Sequence, residues 1–157
     1  MNSKSFIVGI ISDTHGLLRP EAAKLLKGVN IIIHAGDIGG VEIVSMLKQI
    51  APTKAIRGNV DNEKWADNFP ETLELKILKK NIFVVHNVKD FKFKPEENKY
   101  DVIISGHSHK PSIKKENGIL YLNPGSAGKR RFNLPITIAK LKIVGDEISA
   151  RIIDLKV

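Results

Sequence analysis

The chain has no cysteine, so disulfides and thiolate metal sites are excluded and the cytoplasm is the default compartment. It also lacks any apolar run approaching the ~20 residues that a bilayer-spanning helix needs. The short stretch 6–11 runs directly into Ser12-Asp13-Thr14-His15 and reads as a buried strand, not as the core of a signal peptide. No internal repeat, low-complexity tract or linker is visible. Although Lys plus Arg number 25 against 17 acidic residues, for a net charge of +8, no block of five or more like charges occurs. Such a balance attracts anionic surfaces in general. Dispersed along the chain, it reads as solvated surface, and nucleic acid is not the expected partner.

What remains is an ordinary globular composition, 42% hydrophobic and 27% charged over 157 residues, enough for one domain, 1–157, with a full core. Apolar runs at 6–12, 31–35 and 53–56 alternate with helical patterns from Pro20 to about Lys27 and over 41–50. This β-α-β-α-β order implies parallel strands with right-handed crossovers. Beyond it, 73–78 and 82–86 flank Lys79-Lys80-Asn81 as a hairpin, and 90–100 reads as polar loop with at most a short helix. Strands follow at 102–105, 118–122, 136–143 and 147–155, with a turn at Gly145-Asp146. The expectation is an α/β protein with two packed sheets and helices outside.

Only five histidines are present, and four of them sit in short clusters with carboxylates, asparagine and glycine. Asp13-Thr14-His15, Gly36-Asp37, Gly58-Asn59-Val60-Asp61, His86-Asn87 and Gly106-His107-Ser108-His109 each follow a predicted strand. The carboxyl edge of such strands is where α/β sheets bind ligands. Imidazole, carboxylate and amide oxygen are donors suited to borderline divalent metals. If the chain leaves each strand extended, Asp13 and His15 face one side, as do His107 and His109. Seven donors exceed what one ion needs while keeping a water. They suit two ions about 3.5–4 Å apart sharing a carboxylate. Gly36, Gly58 and Gly106 each precede a candidate donor, where the backbone must turn or approach closely.

Taken in order, these pieces resemble the calcineurin-like metallophosphoesterase superfamily. The short length and Asn123-Pro124-Gly125-Ser126 are similar to its small YfcE-type phosphodiesterases, over Ile10 to about Pro135. The resemblance implies a four-layer α/β/β/α sandwich of two mixed sheets flanked by helices. By position, it implies Asp13, His15 and His109 on one metal, Asn59, His86 and His107 on the other, and Asp37 bridging. Asp37, Asn59 and His107 then belong to the catalytic machinery of a phosphoric ester hydrolase with a metal-activated water and no covalent protein nucleophile. Two divalent ions per chain are implied; manganese heads the list, with nickel, cobalt, iron or zinc as alternatives.

Many relatives carry a histidine, the acid for the leaving oxygen, where this chain has Val60. The expected substrates are therefore small phosphate diesters with good leaving groups. Asn87 stands where relatives often have glycine, and the segment from His86 to Gly106 is short, so any substrate-binding helix there is reduced. Arg57, Arg130 and Arg131 are candidate phosphate contacts. Trp65 and Phe69 either stack on a substrate or pack. His34 reads as structural, Asp61 as an orienting hydrogen-bond acceptor and Asn123 as a loop former. Competing readings are a phosphomonoesterase, a nuclease, or a protein-interaction scaffold like the retromer small subunit, which shares the family fold with an impaired site. Retention of all seven donors separates this chain from the scaffold. A homo-oligomer stays open, and no membrane partner is expected.

Overall fold

The computed structural model describes residues 4–91 and 99–157. The first sheet is built from β1 (Ser5–Ile11), β2 (Ile31–His34), β3 (Thr53–Ala55), β9 (Thr137–Val144) and β10 (Glu147–Asp154), in the order β10-β9-β1-β2-β3. Helix α1 (Pro20–Leu25) connects β1 to β2 and α2 (Val41–Lys48) connects β2 to β3. The three strands so linked are parallel, while β9 and β10 add antiparallel. The second sheet has the order β4-β5-β6-β8-β7, from β4 (Thr72–Ile77), β5 (Lys80–Val85), β6 (Val102–Ile104), β7 (Ser112–Glu116) and β8 (Ile119–Asn123). It too is mixed, parallel through β5, β6 and β8 and antiparallel at both edges.

Period-two alternation divides the core. On β1, Val8 and Ile10 join Ile33, Ile82, Val84, Val102, Ile104 and Leu141 in the layer between the sheets. Ile11 and Ile32 face the opposite way, under Ala22, Leu26, Ile43, Val44 and Leu47 of the helical layer. Fully burying each such side chain contributes about 1.5–3 kcal/mol. Gly9 lies on the helical side, where a Cβ would stand 2.6 Å from Leu26 Cδ2, so the missing side chain lets α1 settle on β1. The outer face of the second sheet carries Phe83, with Phe91 edge-on and Tyr100 tilted against it at 5.2 and 5.0 Å between ring centroids. This is the expected α/β sandwich of two mixed sheets. On that second outer face the described residues supply aromatics and a 3-10 turn at Val88–Asp90. Among the described residues no helix is long and apolar enough to cross a membrane.

Three local readings differ from the structure. Both helices stop about two residues early: Gly28 adopts φ +87° after α1, and Pro52 follows the last turn of α2. The β4–β5 turn is Leu78-Lys79, with Leu78 at φ 55°, one residue ahead of the lysine pair. Strand β7 was not expected. It is an exposed edge strand with no inward apolar alternation. Its signal is Asn117-Gly118, both left-handed, the two-residue turn preferred by hairpins. Residues 92–98 of the expected polar loop lie outside the described residues.

Candidate metal centre

Every cluster singled out in the sequence leaves the carboxyl end of a strand. Asp13 and His15 follow β1, Asp37 follows β2, Asn59 follows β3, His86 follows β5, and His107 and His109 follow β6. The extended geometry expected for the two paired motifs is not what brings them together. Asp13, His15, His107 and His109 have φ of 55°, 46°, 73° and 64°, and Asp37 has 56°. The chain curls at each motif: Asp13 and His15 come within 3.9 Å of one another, while His107 and His109 are sent to different donor groups. Left-handed backbone is unfavourable for non-glycine residues and persists only where surroundings hold it.

The surroundings do so with backbone bonds. Asp13 N–H donates to Gly36 O, His15 N–H to Asp37 O and Gly16 N–H to Ile38 O, at 3.0, 3.0 and 2.8 Å. Asp61 accepts from Ile38, Gly39 and Gly58 N–H groups at 2.9–3.0 Å, tying the third loop to the second. Close approach explains two glycines. A Cβ on Gly58 would overlap the Asp37 carboxylate, and one on Gly106 would overlap Ser12 Oγ and stand 2.7 Å from Asp13 Oδ2.

Several candidate donors are locked on one side and open on the other. Asp13 Oδ2 accepts from Ser12 Oγ at 2.7 Å and from His107 N–H at 3.1 Å, leaving Oδ1 without a partner. Asp37 Oδ1 accepts from Val60 N–H at 3.1 Å, while Oδ2 lies 3.1 Å from His86 Nε2 and 3.7 Å from His15 Nε2. His86 Nδ1 donates to Ala35 O at 2.8 Å, which fixes its tautomer and turns Nε2 into the site. Asn59 Oδ1 stands 3.2 Å from His107 Nδ1. Asp13, His15 and His109 offer atoms within 4.8 Å of one another, and so do Asp37, His86 and His107. Asp37 also reaches His15 of the first group.

Asp13 Oδ1, His15 Nε2, His86 Nε2 and His109 Nδ1 are buried with no hydrogen-bond partner. Buried polar atoms are paired as a rule, and leaving four bare in one place is costly. The distance from His86 Nε2 to Asp37 Oδ2 is short, but the groups are not aligned as a hydrogen bond. Asp13 Oδ1 lies 3.9, 3.8 and 3.4 Å from His15 Nε2, His86 Nε2 and His109 Nε2, and nitrogen and oxygen donors gathered this closely fit divalent cations. Protonation shows the same strain. Burial lowers His15, outweighing the pull of Asp37 and Asp13. Burial also acts to lower His86, but the adjacent Asp37 and Asp13 carboxylates prevail and raise it. Burial acts to raise Asp37, yet His86, the Val60 N–H and His15 together keep it below its ordinary value, hence ionised.

Of the arginines, Arg57 lines a cleft of about 380 Å³ beside Asn59, His86 and His107. Its guanidinium is already engaged, donating to Phe69 O at 2.5 Å and pairing with Glu71 at 3.4 Å. Arg130 donates to Val157 O at 2.5 Å. Arg131 is exposed, and its charge acts on His15. Trp65 and Phe69 meet edge to face at 6.1 Å and pack on the helical core layer. His34 is fully buried and Asn123 bonds Gly106 O and Gly125 N–H, both structural. Sequence reasoning missed Ser12 and Ser126, which bond Asp13 Oδ2 and Asp13 O. It also missed Glu71 and Asp90 on the cleft wall. Adjacency to Asp13 marks Ser12; nothing local marks the others.

Residues 6–146 match the model of the calcineurin-like phosphoesterase superfamily domain. A probable metallophosphoesterase of Methanocaldococcus jannaschii is 35% identical, the alignment covering 97% of this chain and 83% of that protein. Phosphodiesterase YfcE of Escherichia coli is 27% identical over 73% of this chain and 76% of its own. Among solved structures, vacuolar protein sorting 29 of Cryptosporidium parvum superposes with a TM-score of 0.82 at 22% identity, over 96% of this chain and 91% of that one.

Proposed function

The chain belongs to the calcineurin-like phosphoesterase superfamily, and from that premise we propose that it is a divalent-metal-dependent phosphodiesterase acting on small phosphate esters through a water activated by two ions. The observation that carries this reading is the approach of His15, His86 and His109, from three separate loops, to within 4 Å of the unpartnered Asp13 Oδ1. Asp13, His15 and His109 would hold one ion, Asn59, His86 and His107 the other, and Asp37 both. Bound divalent ions supply positive charge for the phosphoryl oxygens and acidify a water into a nucleophile near neutral pH.

The chain's own residues supply the frame. Asp37 stays ionised, as a shared ligand must. Ser12 and the His107 N–H aim Asp13, the Ala35 carbonyl aims His86, and the Val60 N–H aims Asp37. The cleft bounded by Arg57, Glu71, Thr72, Asn87, Asp90 and Phe91 adjoins the second donor group and has room for one ester substituent. Arg57, tied to Phe69 O and Glu71, builds the cleft wall. Arg131 is the arginine left to meet a phosphate from the His15 side. Val60 has no proton to give, so the leaving group must depart as a stable anion.

The test is hydrolysis of bis-p-nitrophenyl phosphate and p-nitrophenyl phosphate by protein stripped of metal and then resupplied with manganese, nickel, cobalt, iron or zinc. Activity restored by at least one ion, greater on the diester, is expected. Greater activity on the monoester makes the protein a phosphomonoesterase. No turnover of either compound with any ion defeats the enzymatic reading and leaves the scaffold suggested by likeness to vacuolar protein sorting 29.

A further inference from the structure

Thr14 and His34 contribute none of the candidate donor atoms, yet both are fully buried next to them. Gly36 N–H donates to His34 Nδ1 at 3.1 Å. A backbone N–H can only donate, so Nδ1 is the bare nitrogen and the ring proton sits on Nε2. Nε2–H therefore donates to Thr14 Oγ1 at 2.9 Å, and the Thr14 hydroxyl passes its own hydrogen to Ile38 O at 2.8 Å. The three bonds can run in one direction only, and every group in the chain is satisfied. Its ends lie on either side of Asp37, and its middle is the residue between Asp13 and His15. Those three residues are the ones held at φ 56°, 55° and 46°. Backbone conformations of that kind last only where neighbours over-determine them.

We propose that His34 is a positioning residue: through the Thr14 hydroxyl it sets the Asp13–His15 turn against the Asp37 turn and so fixes the spacing of the two donor groups. The proposal rests on the metal-centre reading. Its alternative is that His34 and Thr14 merely fill space between β1 and β2. Partners behind metal ligands commonly alter metal affinity by 10–100-fold when removed, whereas filler alters only the stability of the fold.

The experiment titrates metal-stripped wild type, Thr14→Val, Thr14→Ser and His34→Leu with Mn²⁺ by calorimetry, alongside melting of each metal-free protein. Thr14→Val keeps the shape and removes the hydroxyl; Thr14→Ser keeps the hydroxyl. Wild type is expected to bind two ions per chain. Thr14→Val and His34→Leu are expected to bind at least one of them 10–100-fold more weakly, with Thr14→Ser close to wild type. Should His34→Leu fail to fold, Thr14→Val decides alone. Affinity unchanged in Thr14→Val with only a lowered melting point overturns the positioning role, as does equal weakening in Thr14→Ser. Failure of wild type itself to bind Mn²⁺ overturns the metal-centre reading and this proposal with it, so the two failures are distinct.

Discussion

Val60 is 46% exposed and uses its backbone N–H, not its side chain, to hold Asp37. A substitution there changes chemistry without changing the frame. Val60→His places an acid where the chain has none, and general acids contribute about 10²–10⁴-fold. Turnover of an alkyl diester should rise about tenfold or more, while bis-p-nitrophenyl phosphate gains little because its leaving group needs no proton. An equal response on both substrates would show that the missing acid is not what limits the enzyme. Asp37 is the opposite case. Its Oδ2 lies within 4 Å of His15 and His86, one from each donor group. Asp37→Ala should therefore remove activity and reduce bound metal, measured by elemental analysis; full metal content with full rate would rule out a shared carboxylate.

At the scale of elements, the helical layer and the site loops depend on different contacts. Gly9 on β1 admits Leu26 from the end of α1. Gly9→Val should cost about 1–3 kcal/mol by overpacking, seen as a lower urea midpoint, with substrate affinity unchanged because the overlap is with Leu26 and Val29 and not with a site loop. Beneath the site loops, His34 at the end of β2 carries a pH dependence of its own. Burial holds its ring down to about 4, against 6.5 when free. Between those values the unfolded chain takes up a proton that the folded chain refuses, so stability rises with pH across that window and falls on acidification. The loss is on the order of 3 kcal/mol. His86 is raised, so its contribution is complete below 6.5 and is lost only as pH climbs through its folded value. Asp37 is lowered, so its contribution is lost only below 3.8. Neither offsets His34 between 6.5 and 4. The urea midpoint of metal-free protein should drop clearly from pH 7 to pH 4.5; a flat profile would mean His34 is not buried neutral.

For the whole molecule, the site is a place where folding leaves polar groups unsatisfied, so ligation and stability are linked. At ion concentrations 100-fold above Kd, each site adds about 2.7 kcal/mol. For a domain of this size, that corresponds to a melting rise of roughly 5–10 °C per ion. Chelation should lower the melting temperature by that amount and re-addition restore it, by scanning calorimetry; identical melting with and without metal would show that the unpartnered donors bind nothing.

Much of this was legible in order along the chain. The strand-helix alternation and the β4–β5 and β9–β10 hairpins follow from period-two and period-3.6 patterning, which is local, and the donor clusters stand at the ends of five of the strands so read. Strand β7 escaped because an exposed edge strand needs no apolar face, although Asn117-Gly118 announces its turn. The geometry of Asp13-Thr14-His15 and His107-Ser108-His109 is curled where spacing suggests extension, and His107 and His109 part to different donor groups, because φ is set by bonds to other loops that residue spacing does not reveal. The roles of Arg57 and Arg130 were open for the same reason, since Glu71, Phe69 and Val157 are distant partners of different kinds. The sequence by itself determined which donor types exist and that they end strands, because chemistry and periodicity belong to residues. Only the tertiary structure decided which atoms are bare, which are locked and that Arg57 and Arg130 are engaged, because hydrogen-bond satisfaction belongs to pairs brought together by the fold.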